Sequence, residues 1–268
     1  MVNIIRTSTK VLSYFLLALV CAAIIFLVNG YIEKAFIKNE IKEFVSRGKY
    51  ETTLVENTLD GTIYVDYYKV KAKHTYEDLS RRIFNINDRN KYVGAKADII
   101  LTTRNPLRGL NEPLIEKPVE YLATNFFIGH ASINITDDGS RIVEVVGNQE
   151  DNGVREWSND WLVFDDASPE IVALRIKNTT NENRNQMVDY CTKQIGKKYN
   201  YMFLINMPNS YYCTDLISRA SKYAGININY DFFQTTGNDM IMSNNTYIIF
   251  YRVKTDTNRY KAYYLSEE

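Results

Sequence analysis

The longest apolar run of the chain lies at its start. Val11 to Val28 is interrupted only by Ser13 and Tyr14, and Phe15 to Val28 is continuously apolar. As a helix rising ~1.5 Å per residue, this run measures roughly 27 Å, about the thickness of a bilayer's hydrocarbon core. Two readings follow, a signal anchor that stays attached or a signal peptide that is cut. The apolar core is long for a cleaved signal, and Val28-Asn29-Gly30-Tyr31 is a mediocre small-residue junction, so residues 1–30 are expected to be a transmembrane anchor. Val20 before Cys21 argues against a lipoprotein signal. Lys34, Lys38, Lys42, Arg47 and Lys49 after the run outnumber Arg6 and Lys10 before it, which counted literally favours a cytoplasmic domain. A basic stub followed by one apolar segment is nevertheless the pattern of an export signal, and an extracytoplasmic domain is expected on that ground.

Beyond the run the period changes twice. Ile32, Phe36, Ile37, Ile41, Phe44 and Val45 recur at helical spacing up to Gly48. Asp60-Gly61 then precedes Thr62-Ile63-Tyr64-Val65, a candidate hairpin, although Tyr64 to Phe84 can also be read as helical. Residues 31–95 are expected to form a juxtamembrane helix and connecting region, with His74 as an ordinary exposed histidine. From Lys96 strands dominate: Ala97 to Thr103, Phe126 to Ile135, Arg141 to Val146 after a turn at Asp137-Asp138-Gly139-Ser140, Ile171 to Ile176 and Tyr247 to Val253. Trp157 and Trp161 flank a variable loop. Asn181 to Ile195 reads as a helix with Met187, Val188, Cys191 and Ile195 on its apolar face and Gly196 as its cap. A second helix is expected from about Cys213 to Ala224, with Leu216, Ile217, Ala220, Tyr223 and Ala224 inward. The pattern gives a domain over 96–255 and a polar tail over 256–268.

Composition narrows the function classes. The 32 basic and 32 acidic residues balance, which gives no nucleic-acid footprint. Cys21, Cys191 and Cys213 make neither a disulfide framework nor a CxxC pair, and His74 and His130 have no metal-ligand spacing. No metal or cofactor is expected. Cys191 reads as a small core residue.

Two distant segments carry the candidate chemistry. Gly129-His130-Ala131-Ser132-Ile133 puts a histidine at the head of an alternating strand, and Tyr212-Cys213-Thr214-Asp215-Leu216-Ile217 puts a cysteine in the first turn of an amphipathic helix. A helix N-terminus and a nearby imidazole both favour a thiolate, the form in which a thiol is a nucleophile. The hairpin returns Glu144 beside His130, where a carboxylate orients an imidazole in a triad. A solvent-facing Glu144 on a half-buried strand is the alternative. Asp215 is expected to interact with the helix N-terminus.

Taken together, these segments resemble the NlpC-type papain-like superfamily in its circularly permuted branch, the YiiX/YaeF-like amidases. Ala97-Asp98-Ile99-Ile100-Leu101 is similar to the opening GDIIL strand, with Ala for Gly, and Gly129 to Ile133 to the GHxGI histidine strand. Glu144 falls at the third polar position. Gly196-Lys197-Lys198-Tyr199-Asn200 is similar to GxxYD, Tyr212 to Ile217 extends the resemblance to YCSELV, and Gly237-Asn238-Asp239-Met240 to the closing PxDL. The resemblance covers about residues 96 to 253. It implies an α+β, papain-like antiparallel sheet packed against helices, and a cysteine hydrolase in which Cys213 attacks, His130 moves the proton and Glu144 orients His130. Tyr199, or failing that Tyr212, would join the Cys213 N–H as an oxyanion donor. The expected substrates are cell-envelope peptides. Acyl lipids, with Phe126-Phe127 and Met202-Phe203-Leu204 lining an acyl groove, are the second reading, and a non-catalytic binding module is the third.

Overall fold

The computed structural model describes residues 2–59, 61–74, 79–103, 117, 129–147, 152–163, 170–202, 206–230 and 234–266; within the first helix the side chains at 2–9, 19, 23, 26 and 27 are outside the description. That helix, α1 (Val2–Ser46), is uninterrupted. After it come β1 (Gly48–Thr58) and β2 (Gly61–Lys71), then β3 (Ile99–Thr102), β4 (His130–Asn134), β5 (Arg141–Val146), β6 (Gly153–Ser158) and β7 (Glu170–Ile176). Helix α2 (Asn181–Thr192), the short strands β8 (Lys198–Tyr199) and β9 (Ser210–Tyr211), and helices α3 (Cys213–Tyr223) and α4 (Gly237–Met242) follow. The last strands are β10 (Thr246–Asp256) and β11 (Arg259–Ser266).

Among the described residues, nine strands form one sheet in the order β1-β2-β11-β10-β7-β3-β4-β5-β6, and β8 and β9 form a separate parallel pair. The expected antiparallel sheet is thus corrected to a mixed one, because β11 pairs in parallel with β2 while the other pairings within it are antiparallel. The region after α1 is a hairpin and not a helix. Ile63, Val65 and Tyr67 alternate inward along β2 with the period of two that a strand requires.

The stretch expected as a polar tail is also corrected, since β11 is an interior strand. Tyr260, Ala262 and Tyr264 are buried, and a tyrosine-rich strand looks polar by residue type although its rings bury like other aromatics. Arg252 of β10 lays its guanidinium 4.1 Å from the Tyr260 ring centre and donates to the Leu162 carbonyl at 3.0 Å.

The transmembrane helix in the expected architecture is not supported. Among the described residues no helix is long and apolar enough to cross a membrane. The C-terminal part of α1 is docked on the domain. Ile37, Ile41 and Phe44 form a buried stripe at helical spacing, against α4 and the start of β10. On the same face Glu33 accepts hydrogen bonds from Asn29 at 2.6 Å and from Asn238 of α4 at 3.0 Å.

At the middle of the sheet a buried ion pair fixes β3 against β7. Arg175 donates to Asp98 through Nε at 2.9 Å and Nη2 at 2.7 Å, and its remaining donors reach the carbonyls of Arg81 at 3.2 Å and Arg82 at 2.7 Å. Asp98 also accepts from the Ala95 N–H at 2.8 Å. Ala97, where the resemblance places glycine, has φ +66°, a left-handed conformation costing an L-residue roughly 1–2 kcal/mol. The bend turns the chain so that Asp98 enters the core.

Helix α2 starts at a capping box in which Thr180 and Asn183 bond reciprocally. It ends at Thr192, earlier than the periodicity implied, and Gly196 closes the following turn at φ +86°. Helix α3 packs on α2, β4 and β5. Its inward face is Leu216, Ile217, Ala220 and Ala224, whereas Tyr223, expected inward, is exposed.

Asp98→Ala leaves the Arg175 charge buried without its partner and is expected to cost about 3–5 kcal/mol. Glu156→Ala, which removes the exposed partner of Arg141, is expected to cost about 0–1 kcal/mol. Urea unfolding of the two variants side by side measures the contrast.

Candidate active site

Three strands and one helix assemble the site. In the β4–β5 register Ser132 faces Glu144, which puts His130 and Glu144 on one face as diagonal neighbours. In the β5–β6 register Glu144 faces Arg155 directly. The turn between β4 and β5 is tight: Gly139 has φ +70°, and a Cβ there would lie 2.3 Å from the Gly94 carbonyl oxygen. Asp138 holds the turn by accepting from the Ser140 N–H at 3.0 Å and hydroxyl at 2.7 Å.

Cys213 comes to this face because α3 packs across β4 and β5. Tyr212, the residue before the helix, is extended and makes no side-chain cap, so the first-turn N–H groups receive no side-chain acceptor from that position. The start of α3 is tied instead to the segment before α4. Thr214 donates its hydroxyl to the Thr235 carbonyl at 2.6 Å, and Tyr212 donates its hydroxyl to Gln234 at 3.0 Å. Cys213 is buried at 4 % exposure, with His130 and Glu144 each at 3 %.

Within this group His130 Nε2 and Glu144 Oε2 are 2.9 Å apart. Glu144 Oε1 accepts from Arg155 Nε at 2.8 Å and lies 2.7 Å from Arg155 Nη2. His130 Nδ1 is buried, and the Cys213 side chain is close enough to the ring to raise its pKa. The Trp161 ring lies 5.2 Å from the imidazole at 45° and screens it from water.

The electrostatics follow from this packing. Burial pulls the His130 pKa down, but the interactions with Cys213 and Glu144 outweigh it and lift the group from 6.5 to about 9. Burial pushes Glu144 up, and His130 and Arg155 reverse this, taking it from 4.5 to about 2.

Tyr199 and Tyr212 differ in what they can do. Val154 N–H donates to the Lys197 carbonyl at 2.8 Å and Gly196 N–H to the Val154 carbonyl at 2.9 Å, which fastens the segment carrying Tyr199 to β6. A Cβ at Gly153 would lie 2.2 Å from the Lys197 carbonyl oxygen, so only glycine permits this approach. The Tyr199 hydroxyl is held well above its ordinary pKa by burial and then by charge on Cys213, and it remains a donor beside the thiol. The Tyr212 hydroxyl, also raised by burial, is committed to Gln234.

The remaining predicted residues lie apart from the reacting group. Asp215 lies in the first turn of α3 and also pairs with Arg219 one turn on, through two 2.7 Å contacts. Cys191 is buried in the core, and burial pushes its thiol up. His74 lines a separate cavity of about 420 Å³ between α1 and the start of β10, with Arg47 and Lys73. Phe126, Phe127, Phe203 and Leu204 lie outside the described residues, and Met202 is exposed. Among the described residues no group of three His, Cys, Asp or Glu side chains is arranged to hold a metal ion. Trp161 was read only as the flank of a variable loop, and Arg155 was not singled out, because its place opposite Glu144 is set by the β5–β6 register.

A family model for permuted papain-like amidases of the YaeF/YiiX type, C92, matches residues 110–259. The chain belongs to this family. It is accordingly a papain-like cysteine amidase or peptidase by class, on an α+β fold. Among solved structures it is similar to the metalloprotein YiiX from Escherichia coli O157:H7, with 12% identity and a TM-score of 0.42, covering 58% of this chain and 96% of that one. No curated protein matches the chain significantly.

The pH dependence of stability follows from the His130–Glu144 pair. Glu144, lowered from 4.5 to about 2, contributes stability above pH 4.5 that is lost as pH falls through about 2. His130, raised from 6.5 to about 9, contributes below pH 6.5 and loses it as pH rises through about 9. Relative to Glu144→Gln, the wild type is therefore expected to hold its full advantage between pH 4.5 and 6.5 and lose it on both sides. Thermal denaturation of both proteins across this range tests the window.

Proposed function

We propose that this family member hydrolyses amide bonds of peptide substrates, with Cys213 as nucleophile, His130 as general base and acid, and Glu144 orienting His130. The observation that carries this reading is the 2.9 Å His130 Nε2–Glu144 contact beside the buried Cys213 at the start of α3. Because Glu144 accepts the Nε2 proton, Nδ1 is the imidazole nitrogen available to the thiol.

Cys213 Sγ gives its proton to Nδ1 and attacks the carbonyl carbon. The oxyanion that forms accepts hydrogen bonds from the Cys213 N–H and the Tyr199 hydroxyl. His130 then returns the proton to the leaving amine, and the C–N bond breaks to leave a thioester on Cys213. Water, deprotonated by His130, cleaves the thioester and restores the thiol. Glu144 stabilises the imidazolium at each stage without taking the proton itself.

His130→Ala is expected to slow iodoacetamide alkylation of Cys213 at neutral pH by about tenfold or more, because an ordinary thiol of pKa ~8.5 is only a few per cent thiolate there. Mass spectrometry follows the reaction, with buried Cys191 reporting any unfolding. Incubation with an activated acyl ester is expected to add one acyl group to the wild type and none to Cys213→Ala. Equal alkylation with and without His130, together with no acyl adduct, would turn the assignment toward a binding module.

A further inference from the structure

Glu144 is gripped from two sides, and the second grip is unassigned. We propose that Arg155 is a positioning residue of the hydrolytic site, fixing the charge and orientation of Glu144 and so deciding which nitrogen of His130 is basic. The inference rests on the reading of Cys213, His130 and Glu144 as the reacting group.

The geometry is two-sided. Arg155 Nε and Nη2 stand 2.8 and 2.7 Å from Glu144 Oε1, leaving Oε2 for His130 at 2.9 Å. With both oxygens engaged, the carboxylate cannot turn without breaking a contact to a charged or ring N–H. Arg155 is itself held, because it stands directly across the β5–β6 ladder from Glu144 and its guanidinium lies 4.4 Å from the Trp157 ring centre. The groups facing this carboxylate are His130 from β4 and Arg155 from β6, and Cys213 faces His130 from α3.

The chemical consequence concerns the tautomer of His130. An ionised Glu144 only accepts, so the Nε2 proton stays on the ring and Nδ1 can accept from the thiol. A protonated Glu144 would donate to Nε2 and drive the ring proton to Nδ1, where it blocks that acceptance. A buried carboxylate takes up a proton readily unless a cation opposes it. Protonated His130 and Arg155 both oppose it, and Arg155 keeps its charge when His130 gives up a proton; its side chain is 22% exposed, so it bears less of the burial than Glu144 at 3%. The exposed Arg141–Glu156 pair joins the same two strands at 2.9 Å without touching the site, and it supplies the control.

The test uses full-length wild type, Arg155→Gln, Arg155→Lys, Arg141→Gln and His130→Ala. Hydrolysis of p-nitrophenyl acetate and iodoacetamide alkylation of Cys213 are followed in short incubations between about pH 2 and 9, a span that contains the Glu144 transition. Arg155→Gln is expected to lower kcat by about tenfold, with KM changed less than about twofold, and to move the acid limb of both profiles up by about 1 pH unit. Arg155→Lys recovers part of the rate and part of the profile, and Arg141→Gln matches wild type. Should Arg155→Gln not fold, the smaller displacement in Arg155→Lys carries the comparison. An acid limb in the Arg155 variants that coincides with wild type, whether or not the rate falls evenly at every pH, overturns the inference and leaves Arg155 a structural residue. Wild-type alkylation identical to His130→Ala overturns the hydrolytic reading instead, and this inference with it.

Discussion

The Asp98–Arg175 pair is the constraint on which the central sheet depends. Both side chains are almost fully excluded from water, and a buried charge of either sign is tolerable only with partners at close range. Arg175 spends its donors on Asp98 and on the carbonyls of Arg81 and Arg82, so one side chain joins β3, β7 and the segment before β3. That junction sets β3, β3 sets β4 beside it, and β4 carries His130. The site inherits its precision from a charge pair that takes no part in its chemistry.

The same logic recurs at Glu144, where a buried carboxylate stands between an imidazole and a guanidinium on neighbouring strands. The β4–β5–β6 ladder supplies both partners by register alone, since alternate side chains of a strand share a face. Against this face α3 presents an uncapped first turn, so the thiol and the N–H groups that can receive negative charge arrive together. The segment carrying Tyr199 is fastened to β6 through an approach that only Gly153 permits.

The N-terminal region is part of this architecture rather than an appendage to it. The β1–β2 hairpin extends the sheet by pairing with the last strand, and α1 docks through Ile37, Ile41, Phe44 and Glu33 on α4 and β10. Because the segment before α4 also holds Tyr212 and Thr214, α1 supports, through α4, the chain that steadies the start of α3.

The sequence by itself determined the local elements and the chemical parts. The apolar run Ile142-Val143-Glu144-Val145-Val146 and the amphipathic turn after Cys213 are one-dimensional signals, and motif order singled out His130, Glu144 and Cys213 as candidates. Tertiary structure alone decided the long-range pairings. Residues 62–71 pair on one side with the adjacent β1 and on the other with β11, nearly two hundred residues away, and the buried tyrosines of β11 look polar until a partner covers them. The apolar run at the N-terminus suggested a membrane span, yet α1 continues past it into an apolar stripe whose spacing the sequence carries but whose partners, α4 and β10, only the fold decides. Arg155 was invisible for the same reason: its role comes from standing across a ladder from Glu144, and cross-strand register is a property of the folded sheet.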